Sequence, residues 1–267
     1  MNLDSKSKLI PQKQDGLPRA RNLGLHEARG ELILFLDDDV ELQDDYLTSL
    51  AAIMRENTGI AGVGGRSMIK EPMITHPLLS PLLRLFTGRD LTSGEKIGRV
   101  LSNGFTASNF EYTIKPMSVE WLRGSNMAFR TEVTRRVGLF DENYTGNGLY
   151  EDADYGYRCT LLGYKLLLDP SLKQIHQSEG TPLYPEENYA YYMSYNQIYF
   201  FYKFKWDGPI ALARCLIAQL FQNFLYLLGG AVYKKPRAFL SHAKGIIDGF
   251  SRLRTLAEER TERKELA

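Results

Sequence analysis

Leu32-Ile33-Leu34-Phe35-Leu36 run without interruption into Asp37-Asp38-Asp39-Val40-Glu41. An apolar run this short reads as a fully buried strand, and it is too short for a typical helix. Three carboxylates therefore emerge at a strand's end. In open α/β sheets ligands sit outside the carboxyl ends of the strands, so these side chains face a site and not the core. Hard oxygen ligands at i and i+2 suit Mg²⁺ or Mn²⁺, which keep few protein ligands and take the rest from water and substrate phosphates. On this reading Asp37 and Asp39 are the metal pair. Asp38 points the other way in extended backbone and is left to reach a substrate hydroxyl. The competing reading is a polar loop after a strand, which must hold three like charges with nothing to neutralise them.

The rest of the composition sets limits. With 267 residues, 43% of them hydrophobic, the chain can bury one large core and an appendage. Its 33 basic and 32 acidic residues leave a formal charge of +1, so no overall field points to nucleic acid. Cys159 and Cys215 lack metal spacing and make no disulfide framework, which fits the reducing cytoplasm. The first 15 residues are polar, with Lys6, Lys8 and Lys13, and carry no apolar signal-peptide stretch.

Along the chain, residues 8–12 read as a weak strand, followed by a Gly16-Leu17-Pro18 turn and a helix over residues 18–28 that Gly30 stops. Asp44 or Asp45 begins a helix through Met54, and residues 60–65 form a glycine-broken strand. Residues 72–94 mix apolar pieces with three prolines and read as a mobile or membrane-facing loop. Trp121-Leu122-Arg123-Gly124-Ser125-Asn126 follows a strand and breaks before a second strand and a helix starting at Thr131. Gly124 lets a sugar approach the backbone. Asn126 either hydrogen-bonds that sugar or caps the turn.

A second acidic cluster, Glu151-Asp152-Ala153-Asp154, opens a helix directly after the Gly146-Asn147-Gly148 rim. Acids in a first helical turn complement the helix dipole, which explains their position but not their place behind a ligand-sized glycine loop.

These segments together resemble the family 2 glycosyltransferases of the GT-A fold. The resemblance covers residues 14–180 and rests on GLPRARNLGLHEARGELILFLDDDV, WLRGSNMAFR, VGLFDENYTGNGLYEDADYGYRC and GYKLLLDPSLKQIHQSEG in that order. It implies an α/β fold, a Rossmann-like mixed sheet flanked by helices, over residues 1–182, with a C-terminal helical appendage over 183–267. It implies inverting transfer from a nucleotide-diphosphate sugar, with Asp37 and Asp39 holding Mg²⁺ or Mn²⁺ on the diphosphate and Asp152 as general base beside Glu151. Asp38 then reaches ribose or sugar. Arg21 and Asn22 match the helix bordering the nucleotide pocket. Residues 165–168 read as an apolar strand that a turn at Pro170 ends. His176, which follows, matches a position that can complete the metal shell, against the common alternative of a structural histidine. No counterpart of the family's opening strand, helix and acid-ended strand precedes Lys8, so an N-terminally shortened version of the fold is expected. The Gln-x-x-Arg-Trp pattern of processive synthases has no match, which favours single-residue transfer.

Beyond Pro182 tyrosines and phenylalanines interleave in an aromatic helix fit to line an acceptor groove, lie at a lipid interface or pack in the core. The apolar segment over residues 209–233, interrupted by Arg214, Gln219, Gln222 and Asn223 and followed by Lys234, Lys235 and Arg237, reads three ways: a span, an interfacial helix at the cytoplasmic face of the membrane, or a packed helix. Residues 252–264 read as a solvated helix. The expected partners are a nucleotide-diphosphate sugar and a glycan or lipid-linked acceptor. The rivals are a degenerate binding or scaffold protein and a haloacid-dehalogenase-like phosphatase. The latter shares an Asp-x-Asp strand end but expects Thr or Val where Glu41 stands.

Overall fold

The computed structural model describes residues 7–68, 96–108, 110–177, 187–233 and 237–265. The expected loop over residues 72–94 lies outside them. The fold opens with α1 (Leu17–Glu27), β1 (Leu32–Leu36), β2 (Val40–Leu42), α2 (Tyr46–Glu56) and β3 (Ile60–Met68). Next come β4 (Met117–Val119), β5 (Asn126–Arg130), α3 (Thr131–Val137), α4 (Glu151–Leu161) and β6 (Lys165–His176). Three helices follow: α5 (Glu187–Phe204), α6 (Pro209–Tyr233) and α7 (Arg237–Glu265).

The strands form one mixed sheet in the order β1-β5-β3-β6-β2, with β4 also on β6. β5 runs antiparallel to both β1 and β3, whereas β3 and β6 are parallel. Period-two alternation decides which side chains meet. Ile33 and Phe35, Met127 and Phe129, and Leu166 and Leu168 point to one face, where they meet Phe140, Tyr144, Tyr155 and Phe200. Leu32, Leu34, Ala128 and Leu167 point to the other, beneath Tyr46, Leu50 and Met54 of α2. Because both faces are covered, β1 reads as an unbroken apolar run and not as an alternating one.

Two expectations are corrected. Residues 8–12 form no strand; Lys8 instead pairs with Glu27, and Gln12 Nε2 donates to the Gly16 carbonyl at 3.0 Å, so the segment follows α1 and not a sheet edge. The strand read at residues 165–168 does not end at Pro170. β6 continues to His176 because the register against β3 shifts between Gly65 and Arg66, and Pro170 falls in that irregularity, where its missing N–H breaks no ladder bond.

The C-terminal helices are joined to this core. Phe200 of α5 sits fully buried in the same cluster as Phe129, and Gln197 Nε2 donates to the Asn103 carbonyl at 2.9 Å. Arg252 of α7 donates to the Asn143 carbonyl at 3.0 Å. The expected helix over residues 252–264 is the end of α7.

Candidate active site

Register brings the site together. Leu36, the last residue of β1, pairs with Asn126, the first of β5, so Gly124 and Ser125 stand beside Asp37. On the other edge Val40 pairs with His176, which sets the end of β6 against the aspartate turn. The backbone does not stay extended past Leu36. Asp38 and Asp39 form a turn in which the Val40 N–H donates to the Asp37 carbonyl at 3.3 Å. This turn, and not strand alternation, leaves Asp38 exposed and sets Asp37 and Asp39, both half-buried, toward His176.

His176 Nε2 lies 3.3 Å from Asp39 Oδ1 and 3.9 Å from Asp37 Oδ2. One donor atom from each of the three residues falls within 4.8 Å of the others. Two carboxylate oxygens and an imidazole nitrogen, all partly open to solvent, fit a divalent ion that needs further positions for water and phosphate.

Facing this group is the start of α4. Tyr150 takes a left-handed φ of 77°, unusual for a bulky residue, and its ring packs against Phe200 at 5.4 Å, so tertiary contacts hold a turn that local preference opposes. That turn presents Glu151 and Asp152 at the helix N-terminus. The Gly124 N–H donates to Asp152 Oδ2 at 2.8 Å and the Ala153 N–H to Oδ1 at 2.7 Å. Burial pushes the Asp152 carboxyl above the usual carboxylate range, against the pull of Arg21, these two amides and Arg123. A carboxylate so raised is a better proton acceptor than a solvated one.

Two glycines make this approach possible. A Cβ on Gly124 would stand 2.5 Å from Arg21 Nη2, and one on Gly156 would stand 2.6 Å from the Trp121 Cα. Gly156 therefore lets α4 close onto residues 121–124. The sequence reading passed over it, although a glycine inside a helix is itself a signal of close packing.

Arg21 connects the two halves. It is 7% exposed, with Nη2 3.4 Å from Asp37 Oδ1 and Nη1 in tight contact with Glu151 Oε1. Its guanidinium also lies over the Phe140 ring at 5.7 Å. Asn22 is turned inward as well. Its Oδ1 accepts from the Phe140 N–H at 2.7 Å, and its Nδ2 donates to the Phe140 carbonyl and to Glu142 Oε1, each at 3.0 Å. Asn126 lies within β5 and not in a break as the sequence suggested. It is buried under α2, and Tyr46 donates its hydroxyl hydrogen to the Asn126 side-chain carbonyl.

Behind Asp152 lies a charged cluster that the sequence did not announce. Asp154, fully buried, accepts from Arg158 Nε at 2.6 Å, Lys203 Nζ at 2.6 Å and the Tyr144 hydroxyl at 3.0 Å. Lys203, on α5, also donates to Asp141 Oδ2 at 2.6 Å. Burial would raise the Asp141 carboxyl, but the Lys203 ammonium holds it down to about 2.

A mixed sheet flanked by helices, presenting aspartates and an imidazole at its strand ends opposite a helix that begins with Glu-Asp, is the α/β arrangement expected from the sequence. The model described as Glycosyl transferase family 2 matches residues 1–112, the part that holds Arg21 and Asp37 to Asp39, and the resemblance read from the sequence holds there. Among curated proteins, "Putative glycosyltransferase EpsH" of Bacillus subtilis (strain 168) is 34% identical over 58 residues, 22% of this chain and 17% of that protein. A Pyrobaculum calidifontis mannosyltransferase, solved with GDP-Man and Mn²⁺, aligns at 17% identity and TM-score 0.45 over 92% of this chain and 60% of its own. GalNAc-T7 with UDP, GalNAc and Mn²⁺ aligns at 16% identity and TM-score 0.42, over 72% of this chain and 37% of its own. S. aureus TarS 1-349 aligns at 14% identity and TM-score 0.40, over 88% and 60%. In each case the chain spans less than two thirds of the protein it matches.

Proposed function

We propose that the protein transfers a sugar from a nucleotide-diphosphate donor to a hydroxyl of a glycan or lipid-linked acceptor, with inversion at the anomeric carbon. The observation that carries this reading is the convergence of Asp37, Asp39 and His176 within 4.8 Å, joined through Arg21 to the helix that bears Asp152. A divalent cation, Mn²⁺ or Mg²⁺, when held by those three residues supplies positive charge where the departing diphosphate gains negative charge. Asp152 accepts the acceptor's hydroxyl proton as the new C–O bond forms and the bond to the diphosphate breaks. A single displacement from the face opposite the leaving group inverts the centre. The Gly124 N–H keeps the Asp152 carboxylate oriented during this step. The family match over the aspartate strand favours this chemistry over the phosphatase reading.

Asp39→Ala tests the cation side. Mn²⁺ binding followed by calorimetry should weaken at least about tenfold, the scale seen when a ligand or its support is lost, and Mn²⁺-dependent release of nucleoside diphosphate from a panel of sugar nucleotides should disappear. Wild-type protein that binds neither Mn²⁺ nor a sugar nucleotide would favour the scaffold reading.

The same reading places the catalytic core, residues 1–182, at the cytoplasmic face of the membrane, held there by the C-terminal helices. Among the described residues one helix, Pro209–Ala231, is long and apolar enough to cross a bilayer, and only 28% of its most apolar stretch is buried within the fold. The helix turns Ala211, Cys215, Ala218 and Gln219 inward, while the larger apolar side chains of Ile217, Leu220, Phe224, Leu227 and Leu228 are exposed. Exposed Ile210 and Leu240, with Trp206 nearby in sequence, extend the apolar inventory, and Arg214 and Arg237 supply positive charge for anionic headgroups. The protein should float with vesicles containing phosphatidylglycerol. Leu220→Asp with Phe224→Asp should abolish flotation; a dimer in light scattering that masks this face would assign it to a second copy instead.

A further inference from the structure

The guanidinium of Arg21 is shared unequally between two acids. Nη1 is in tight contact with Glu151, whereas Nη2 stands 3.4 Å from Asp37 Oδ1, the outer edge of a hydrogen bond. Glu151 is 2% exposed, and its other oxygen, Oε2, finds no partner among the described residues, so Arg21 is the group that neutralises it. Water cannot stand in for either member at that depth. Without Glu151, the same fork faces Asp152 on the base helix and Asp37, which its Nη2 already reaches. A charge-assisted pairing with Asp37 would occupy oxygens that a cation needs.

We propose that Glu151 is a positioning residue for the cation site: it draws Arg21 toward the base helix and so keeps the guanidinium from closing beyond its 3.4 Å contact onto Asp37. This rests on the reading of Asp37, Asp39 and His176 as cation ligands. Arg21 is confined by its surroundings to a short swing between the two acids, since Gly124 and the Phe140 ring enclose it. One arginine thus links the state of the helix start that carries Asp152 to the electrostatics of the aspartate turn. Glu151 touches neither the cation site nor an incoming hydroxyl and acts on the cation site only through Arg21.

Calorimetric titration of the full chain with Mn²⁺ alone tests this without reference to turnover. Glu151→Gln should weaken Mn²⁺ binding about fivefold, the scale of a unit charge moved a few ångströms in a partly aqueous site. Adding Arg21→Gln to it should return the affinity to within about twofold of wild type. Asp152→Asn, which removes a neighbouring negative charge but leaves Glu151 on Arg21, should change it less than about twofold. Arg21→Gln alone should bind Mn²⁺ as tightly as wild type or more so, which keeps the test open should Glu151→Gln unfold on circular dichroism. The proposal is overturned by wild-type affinity in Glu151→Gln, by an equal loss in Asp152→Asn, by a double variant that stays weak, or by weaker binding in Arg21→Gln. Wild-type protein with no Mn²⁺ binding overturns the cation reading itself.

Discussion

Asp152→Asn should lower the rate of sugar transfer at least about a hundredfold, the low end of what a positioned general base contributes, and should leave the melting temperature unchanged or higher. The two signs come from one cause. Burial holds the Asp152 carboxyl above its ordinary range despite Arg21 and the Gly124 and Ala153 amides, so the fold favours its protonated form. A carboxyl whose folded pKa is raised adds stability at acid pH that is lost as pH climbs through the raised value, and above it the fold carries an ionised group it holds poorly. The neutral amide removes that penalty. Catalysis needs the opposite state, because only ionised Asp152 can take the acceptor's proton. The rate should therefore fall as pH drops through the raised pKa, on an acid limb displaced upward from that of a solvated aspartate. In Asp152→Asn this limb should vanish from the residual activity. Differential scanning fluorimetry and a pH–rate profile check both halves; a variant that loses activity together with stability would mark Asp152 as structural.

Where local pattern governs, the sequence was readable; where distant segments meet, it was not. The run 32–36 followed by aspartates located β1 and the acids that converge with His176 because burial on both faces of a sheet leaves a plain mark, and Glu151 marked the start of α4 to the residue. α6 also began and ended as its apolar length indicated. The reason Asp37 and Asp39 share a side was not visible, since it depends on a turn closed by a backbone bond and on the pairing of Val40 with the distant His176. Arg21 and Asn22 were read as bordering a nucleotide pocket, and nothing in helical spacing set them inside the fold. They are internal because α1 packs against the loop at Phe140, a long-range event that helical spacing does not encode. Pro170 misled for the converse reason: its usual role as a strand breaker gave way to a register shift that accommodates it. Lys203 carried no signal at all, being one basic residue on an aromatic helix until tertiary structure sets it between Asp141 and Asp154.

That last arrangement yields the largest expected loss of stability. Asp154→Ala should destabilise the fold by about 3 kcal/mol, the lower bound for removing one partner from a buried ionic cluster, and lower the melting temperature by about 6–12 °C for a chain of this size. Asp154 is fully buried and receives Arg158, Lys203 and Tyr144, so its loss strips a carboxylate from two cations and a hydroxyl at once. Arg158 retains the carbonyls of Val137 and Leu139, each at 2.8 Å, and Lys203 retains Asp141, which keeps the cost near the lower bound. The Tyr144 hydroxyl keeps no such substitute on α4, and burial already pushes its pKa well up, so it remains a neutral donor without its acceptor. Asp154 and Asp152 lie two positions apart on one helix, yet one substitution should unfold the protein more readily without touching the proton-transfer chemistry, and the other should do the reverse. Lys203→Met should follow Asp154→Ala in direction, since it removes the ammonium that holds Asp141 down to about 2. A depressed carboxyl contributes stability above its unfolded pKa that is lost as pH falls toward the folded value, so this variant should show a shallower loss of stability between about pH 4 and pH 2 in acid-unfolding curves. Equal acid sensitivity in wild type and Lys203→Met would show that Lys203 on α5 does not hold the Asp141 carboxylate electrostatically.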